Sequence, residues 1–134
     1  MILIDTSVWI DYFNGYPSFE KEQLMLFIST NQAIVLPGLV LTEILLGLKT
    51  DAEAARISNL LDAFIVAPEC DQQDHKEAAR IYRLCRQKGF TIRSTIDCLI
   101  AQLCLRHNYI LLSKDKDFQV IAKCTPLQLL DRHH

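Results

Sequence analysis

Residues 1–13 read MILIDTSVWIDYF and residues 109–118 read YILLSKDKDF. Each stretch is a short apolar run that gives way to an acid, Asp5 in the first and Asp115 in the second, with hydroxyls beside it. Apolar runs this short, Ile2 to Ile4 and Tyr109 to Leu112, suit strands of a parallel sheet that are covered on both faces and so lose their polar alternation. In an open parallel sheet, ligands bind beyond the carboxyl ends of the strands, and an acid just past a strand's last apolar residue faces that crevice. Asp5 also suits the cap of a helix beginning near Val8, although Ile4, Val8 and Trp9 would bury much of it.

Three further strands are expected, at Ala33 to Leu36 (ended by Pro37-Gly38), Ala63 to Val66 and Leu127 to Leu130. Helical patterns lie between them. Ser18 with Glu20 opens one through about Ser29, and Val40 to Leu48 forms a short apolar helix. Thr50-Asp51-Ala52-Glu53 reads as a capping box before a helix to about Leu61. Asp71 caps a longer helix with an apolar stripe at Ala78, Ala79, Ile81, Tyr82 and Cys85, ended by Gly89. Ser94-x-x-Asp97 opens the next, through about His107. Strands alternating with helices imply parallel β-α units, so the expected fold is α/β, a three-layer α/β/α sandwich around a mostly parallel sheet of about five strands. No repeat, low-complexity tract or long linker interrupts the chain, and one domain over residues 1–134 is expected.

At 134 residues and 50% hydrophobic content, such a domain can bury a core without disulfides or a structural metal. The five cysteines, at 70, 85, 98, 104 and 124, are odd in number and contain no C-x-x-C pair, so reduced core residues are expected rather than a disulfide framework or zinc knuckle. A net charge of −2 argues against coating nucleic acid through the overall field, so a polyanion would have to be met locally. The apolar runs fall short of the roughly 20 residues of a membrane span, and no basic segment precedes an apolar one at the N-terminus, so the cytoplasm is the expected location. His133 and His134 fit either native residues or the remnant of a tag.

Two more acids occupy apolar helical surroundings, Glu43 in LVLTEILLGL and Asp97 in STIDCLIAQL. Singly, each acid has a structural explanation: Asp97 completes a capping box with Ser94, Asp115 caps the turn at Asp117-Phe118, and Glu43 is an exposed point on a buried helix. Jointly, all four sit where they could converge above one sheet edge. Like charges about 4 Å apart repel by roughly 4 kcal/mol at an effective dielectric of 20, so clustered carboxylates need protons or a cation. Oxygen ligands without His or Cys favour Mg2+ or Mn2+, ions suited to phosphoryl chemistry.

Taken together, Ile4-Asp5-Thr6-Ser7, Glu43, the stretch Ile92 to Ala101 and the stretch Leu112 to Phe118 resemble the PIN domain, and most closely the ribonuclease toxins of VapBC-type toxin–antitoxin systems. The resemblance runs from Met1 to Leu130. It implies a Mg2+- or Mn2+-dependent endoribonuclease with Asp5, Glu43, Asp97 and Asp115 as its acidic quartet, of which Asp5, Asp97 and Asp115 hold the metal. It further implies that Thr6 or Ser7 steadies the site by hydroxyl and that Asp117 supports the ligands from behind. An RNA substrate, a cognate antitoxin and a homodimer are likewise implied.

Arg93, four residues before Asp97, and Lys114 and Lys116, alternating with the acids, are candidate phosphate contacts. Lys76, Arg80 and Arg83 share a helix face that is as well explained by solvation. Trp9, Tyr12 and Phe13 with Leu39 to Leu48 suit either an antitoxin groove or the core. His107 lies at the far end of its helix from Asp97, and with His75 it reads as a surface or cap residue, which argues against cleavage by a His pair. Two alternatives stay open: a phosphatase or phosphotransferase with Asp5 as nucleophile, whose usual D-x-D is interrupted by Ser7, and a non-catalytic module whose acids only cap helices.

Overall fold

A computed structural model describes residues 1–131, so His133 and His134 and the question of their origin lie outside the described residues. The chain runs β1 (Ile2–Ile4), α1 (Thr6–Asn14), α2 (Phe19–Ser29), β2 (Ile34–Leu36), α3 (Gly38–Leu46), α4 (Asp51–Leu61), β3 (Ile65–Val66), α5 (Gln72–Gln87), α6 (Thr95–His107), β4 (Ile110–Leu112) and α7 (Lys116–Cys124). The strands form one parallel sheet in the order β3-β2-β1-β4, with Ile2, Leu3 and Ile4 of β1 opposite Ile110, Leu111 and Leu112 of β4.

This order follows from crossover handedness. Moving from β1 through β2 to β3 with right-handed connections puts α1 to α4 on one face, and the return past β1 to β4 puts α5 and α6 on the other. The helix contacts agree: α1 packs on α2 and α3, and α3 on α4, while α5, α6 and α7 pack on one another. The result is the expected three-layer α/β/α sandwich. β1 lies in the middle of the sheet, with Leu3 and Ile4 fully buried.

The sheet has four strands among the described residues, not five. Leu127 to Leu130 meets β4 only through an isolated parallel bridge, Leu111 to Leu129. Leu111 donates to the carbonyl of Gln128 and accepts from the amide of Leu130, and no further rung extends the pair into a ladder. β3 is shorter than its sequence suggested, because Phe64 donates to the carbonyl of Leu61 and so closes α4. Its two residues form an exposed edge rather than a buried strand.

Local signals largely set the helix starts. Ser18 accepts from the Lys21 amide, Thr50 accepts from the Glu53 amide, and Asp71 and Asp74 form a reciprocal capping box. α1 begins at Thr6, two residues earlier than expected, and ends at Gly15 in the left-handed conformation that glycine adopts without strain. Trp9 is fully buried against Phe13 and Phe64, which places it in the core. Cys85, Cys98, Cys104 and Cys124 are buried free thiols, and Cys70 is half-buried. His107 ends α6 as expected, half-buried rather than on the open surface, where it stacks on Tyr109, and Asn108 follows it as the C-cap.

Candidate functional site

β1 and β4 are adjacent, and the chain reverses its direction of travel across the sheet between them. Such a switch point leaves a crevice at the strands' carboxyl ends, because the connections leave in opposite directions. Asp5 follows β1 directly, with its amide donating to the Leu112 carbonyl at 3.0 Å, so the two strand ends are locked level.

Three helices present carboxylates at their N-termini here. Asp5 is the residue preceding α1, Asp97 lies in the first turn of α6, and Asp115 and Asp117 open α7. The positive end of each helix dipole favours the ionised acid. Carboxylate oxygens of Asp97, Asp115 and Asp117 lie within 4.8 Å of one another. At that separation each pair of charges repels by about 3 kcal/mol at an effective dielectric of about 20. Burial, a hydrogen bond to Asp115 and the charges of Asp115, Asp5 and Asp117 together push the Asp97 carboxyl up to about 8. Burial also raises Asp5, against the lowering effect of its Ser113 and Ser7 hydrogen bonds.

Hydrogen bonds hold the acids in place. Asp5 Oδ2 accepts from Ser7 Oγ at 3.0 Å and from Ser113 Oγ at 2.8 Å. Ser113 Oγ in turn accepts from the Asp115 amide at 2.9 Å. Asp115 caps α7 by accepting from the Asp117 amide at 2.9 Å, and Asp117 accepts from the Arg93 amide at 2.9 Å. Thr6 donates to Glu43 at 2.9 Å, which ties the α3 acid to the residue after Asp5.

The structural explanations of the single acids resolve differently. Ser94 makes no side-chain capping bond, so Asp97 completes no box there. Its Oδ2 is buried with no hydrogen-bond partner among the described residues. Asp115 is a cap and a member of the cluster at once. Glu43 is half-buried and hydrogen-bonded rather than an exposed point. Asp5 is charge-coupled to Asp97 yet outside the closest three, and Asp117, expected only to support the site, is among them. Asp5 is buried, and the hydrogen bonds from the Ser7 and Ser113 hydroxyls both fall on its Oδ2.

Among the candidate phosphate contacts, Arg93 and Lys116 are exposed beside the cluster. The Lys114 ammonium instead meets Asp11 Oδ2 at 2.7 Å. On the α5 face, Arg80 pairs with Glu77. Sequence reasoning passes over two residues. Ser113 reads there only as a spacer, although a hydroxyl two residues before Asp115 mirrors the Ser two residues after Asp5. Asp11 carries no signal, because its partner lies 103 residues away.

All the donors are oxygens, three converge on one point, and one buried oxygen lacks a partner. These residues therefore fit a hard divalent cation, which would replace the proton that Asp97 otherwise retains.

Comparison with known proteins agrees with this geometry. A family profile described as PIN domain matches residues 2–123. Ribonuclease VapC11 of Mycobacterium tuberculosis is 38% identical over 129 residues, covering 96% of each chain. The structure of VapBC2 from Rickettsia felis bound to a DNA fragment from their promoter superposes with a TM-score of 0.75 at 21% identity, covering 97% of this chain and 98% of that one. A toxin–antitoxin complex from Klebsiella pneumoniae superposes with a TM-score of 0.70 at 18% identity, covering 96% and 99%.

Proposed function

Because the chain belongs to the PIN domain family, we propose that it is a ribonuclease, the toxin of a toxin–antitoxin pair, which hydrolyses RNA phosphodiester bonds with Mg2+ or Mn2+ held by its carboxylate cluster. The observation that carries the chemistry is the convergence of Asp97, Asp115 and Asp117 within 4.8 Å at the β1/β4 switch point. Asp5 adjoins them.

A divalent cation bound there supplies Lewis acidity toward a phosphate oxygen and lowers the pKa of a coordinated water. The chain's own residues do the rest. Asp97, Asp115 and Asp117, with Asp5 alongside, would hold the cation, and the Ser7 and Ser113 hydroxyls, both bonded to Asp5 Oδ2, would leave Oδ1 as the oxygen to face it. Glu43, which accepts a hydrogen bond from the Thr6 hydroxyl next to Asp5, is the proposed base that takes a proton from the attacking water. The exposed Arg93 and Lys116 meet backbone phosphates of the RNA, which concentrates attraction locally on a chain of net charge −2. A protein antitoxin and a second copy of the chain are the proposed partners. No described helix is long and apolar enough to cross a membrane, and the proposed location is the cytoplasm.

The test is cleavage of total RNA by purified protein with Mg2+, with Mn2+ and with EDTA, using wild type, Asp5→Asn and Asp97→Asn. Cleavage is expected only for wild type with a divalent ion, leaving 5′-phosphate ends whose sequencing identifies the RNA cut. Undiminished cleavage by both variants in EDTA would overturn the proposal.

A further inference from the structure

The turn between β4 and α7, residues 113–115, carries Ser113 and Asp115 into the site, and it is fastened to α1 and its N-cap residue Asp5 at three points. Ser113 Oγ donates to Asp5, the Lys114 amide donates to Ser7 Oγ at 3.2 Å, and the Lys114 ammonium meets Asp11 Oδ2 at 2.7 Å. The first two contacts belong to the carboxylate cluster itself. The third lies outside it: Asp11 is six residues along α1 from Asp5, about 9 Å along the helix axis at 1.5 Å per residue.

We infer that Lys114 and Asp11 are positioning residues, an ion pair that clamps the β4–α7 turn onto α1 and thereby sets where Asp115 and Ser113 meet Asp5. This rests on the metal-dependent reading above. The Asp11 side chain is 6% exposed and that of Lys114 41% exposed, so the carboxylate is withdrawn from water while the lysine stem lies along the surface. Burial alone would raise the Asp11 carboxyl, but the Lys114 hydrogen bond, a Ser18 hydrogen bond and the charges of Lys114 and Lys21 outweigh it and hold Asp11 low. Asp11 therefore stays a full negative charge. An ammonium committed at 2.7 Å to a buried carboxylate is poorly placed to leave for a phosphate. Around metal sites, partners that orient the ligands matter nearly as much as the ligands.

The test uses Lys114→Met, Asp11→Asn, the double variant and Lys114→Arg. Three measurements are made: amide hydrogen exchange by NMR in metal-free protein, Mn2+ affinity by EPR, and kcat and KM on a fixed RNA. Lys114→Met and Asp11→Asn should each speed exchange of the Asp115 and Asp117 amides while leaving α5 protected. Each should weaken Mn2+ binding and lower kcat about tenfold at unchanged KM. The double variant should be no worse than either single, since both break one interaction, and Lys114→Arg should recover most of the loss. A raised KM for Lys114→Met with Asp11→Asn like wild type would make Lys114 a phosphate contact and overturn the inference. Wild-type exchange in every variant would overturn it too. Failure of the wild type to bind Mn2+ or cut RNA would instead overturn the functional reading, and the exchange measurement would still decide whether the clamp holds the turn.

Discussion

Replacing Asp97 by Asn should make the metal-free protein more stable, although it removes a buried, charge-bearing residue. The Asp97 carboxyl stands near 8 in the folded chain against 3.8 for an unperturbed aspartate. Between those values the folded state keeps a proton that the unfolded state has released. Stability from this group is thus fully present below 3.8 and falls as pH rises toward 8, by about 1.4 kcal/mol per pH unit. At pH 7 the accumulated cost is on the order of 4 kcal/mol. The Asp97→Asn variant would carry no such cost, while Asp115 and Asp117 keep their mutual repulsion, so a gain of roughly 2–4 kcal/mol is expected at pH 7 in EDTA. For a chain of 134 residues that corresponds to a Tm higher by very roughly 5–15 °C. The assay is urea and thermal denaturation from pH 5 to pH 8 in EDTA, then with added Mn2+. Wild type should lose stability with rising pH about one proton more steeply than the variant. Added Mn2+ should reverse the order, because the cation binds the folded wild type in preference. A variant less stable than wild type at pH 7 in EDTA, with parallel pH slopes, would refute the reasoning that the acids are crowded enough to need a proton or an ion.

Thr6→Val removes the hydroxyl that holds Glu43 and nearly keeps the volume, so stability should change by about 1 kcal/mol or less while kcat on RNA falls about tenfold; equal activity would separate Glu43 from the reaction. Arg106→Met strips its cation from the buried Asp74. A loss of about 2 kcal/mol at pH 7, between exposed and fully buried pairs, should appear in urea unfolding. Against the raising effect of burial, the Asp71 amide, Gln102 and Arg106 depress the Asp74 carboxyl, so its stabilisation is present above 3.8 and is lost as pH falls through the folded value. The Arg106→Met difference should therefore shrink in acid, and a difference that grows there would count against the pairing. Trp9→Ala should cost about 4 kcal/mol, and a loss under about 1 kcal/mol in the same assay would show that the ring does not belong to the core.

The four acids were legible in the sequence because each violates its surroundings: a charge after Ile2-Leu3-Ile4, or within LVLTEILLGL, has no reason to be there unless something compensates it. Most of the helices and all four strands, β3 shorter than expected, were equally legible, since periodicity and caps such as Ser18, Thr50 and Asp71 act over a few residues. A fifth strand is not formed because Leu127 to Leu130 has strand composition only, and composition does not say how many rungs a neighbour offers. The stacking of His107 on Tyr109 was hidden for a related reason, since it depends on how the end of α6 packs.

By itself, the sequence determined the β-α alternation, the strand-end positions of Asp5 and Asp115, and the presence of more carboxylates than a core tolerates. These depend on residue type and on spacings within one element. Only the tertiary structure decided which acids meet. The packing of α7 on α6 brings Asp117 within 4.8 Å of Asp97 and Asp115, and the adjacency of β1 and β4, where the chain reverses direction, sets Asp5 close enough for its charge to act on Asp97. The same long-range packing turned Lys114, a candidate phosphate contact by sequence, toward Asp11 on α1. Contacts between residues far apart in the chain are set by crossover handedness and close packing, neither of which is written in any local stretch.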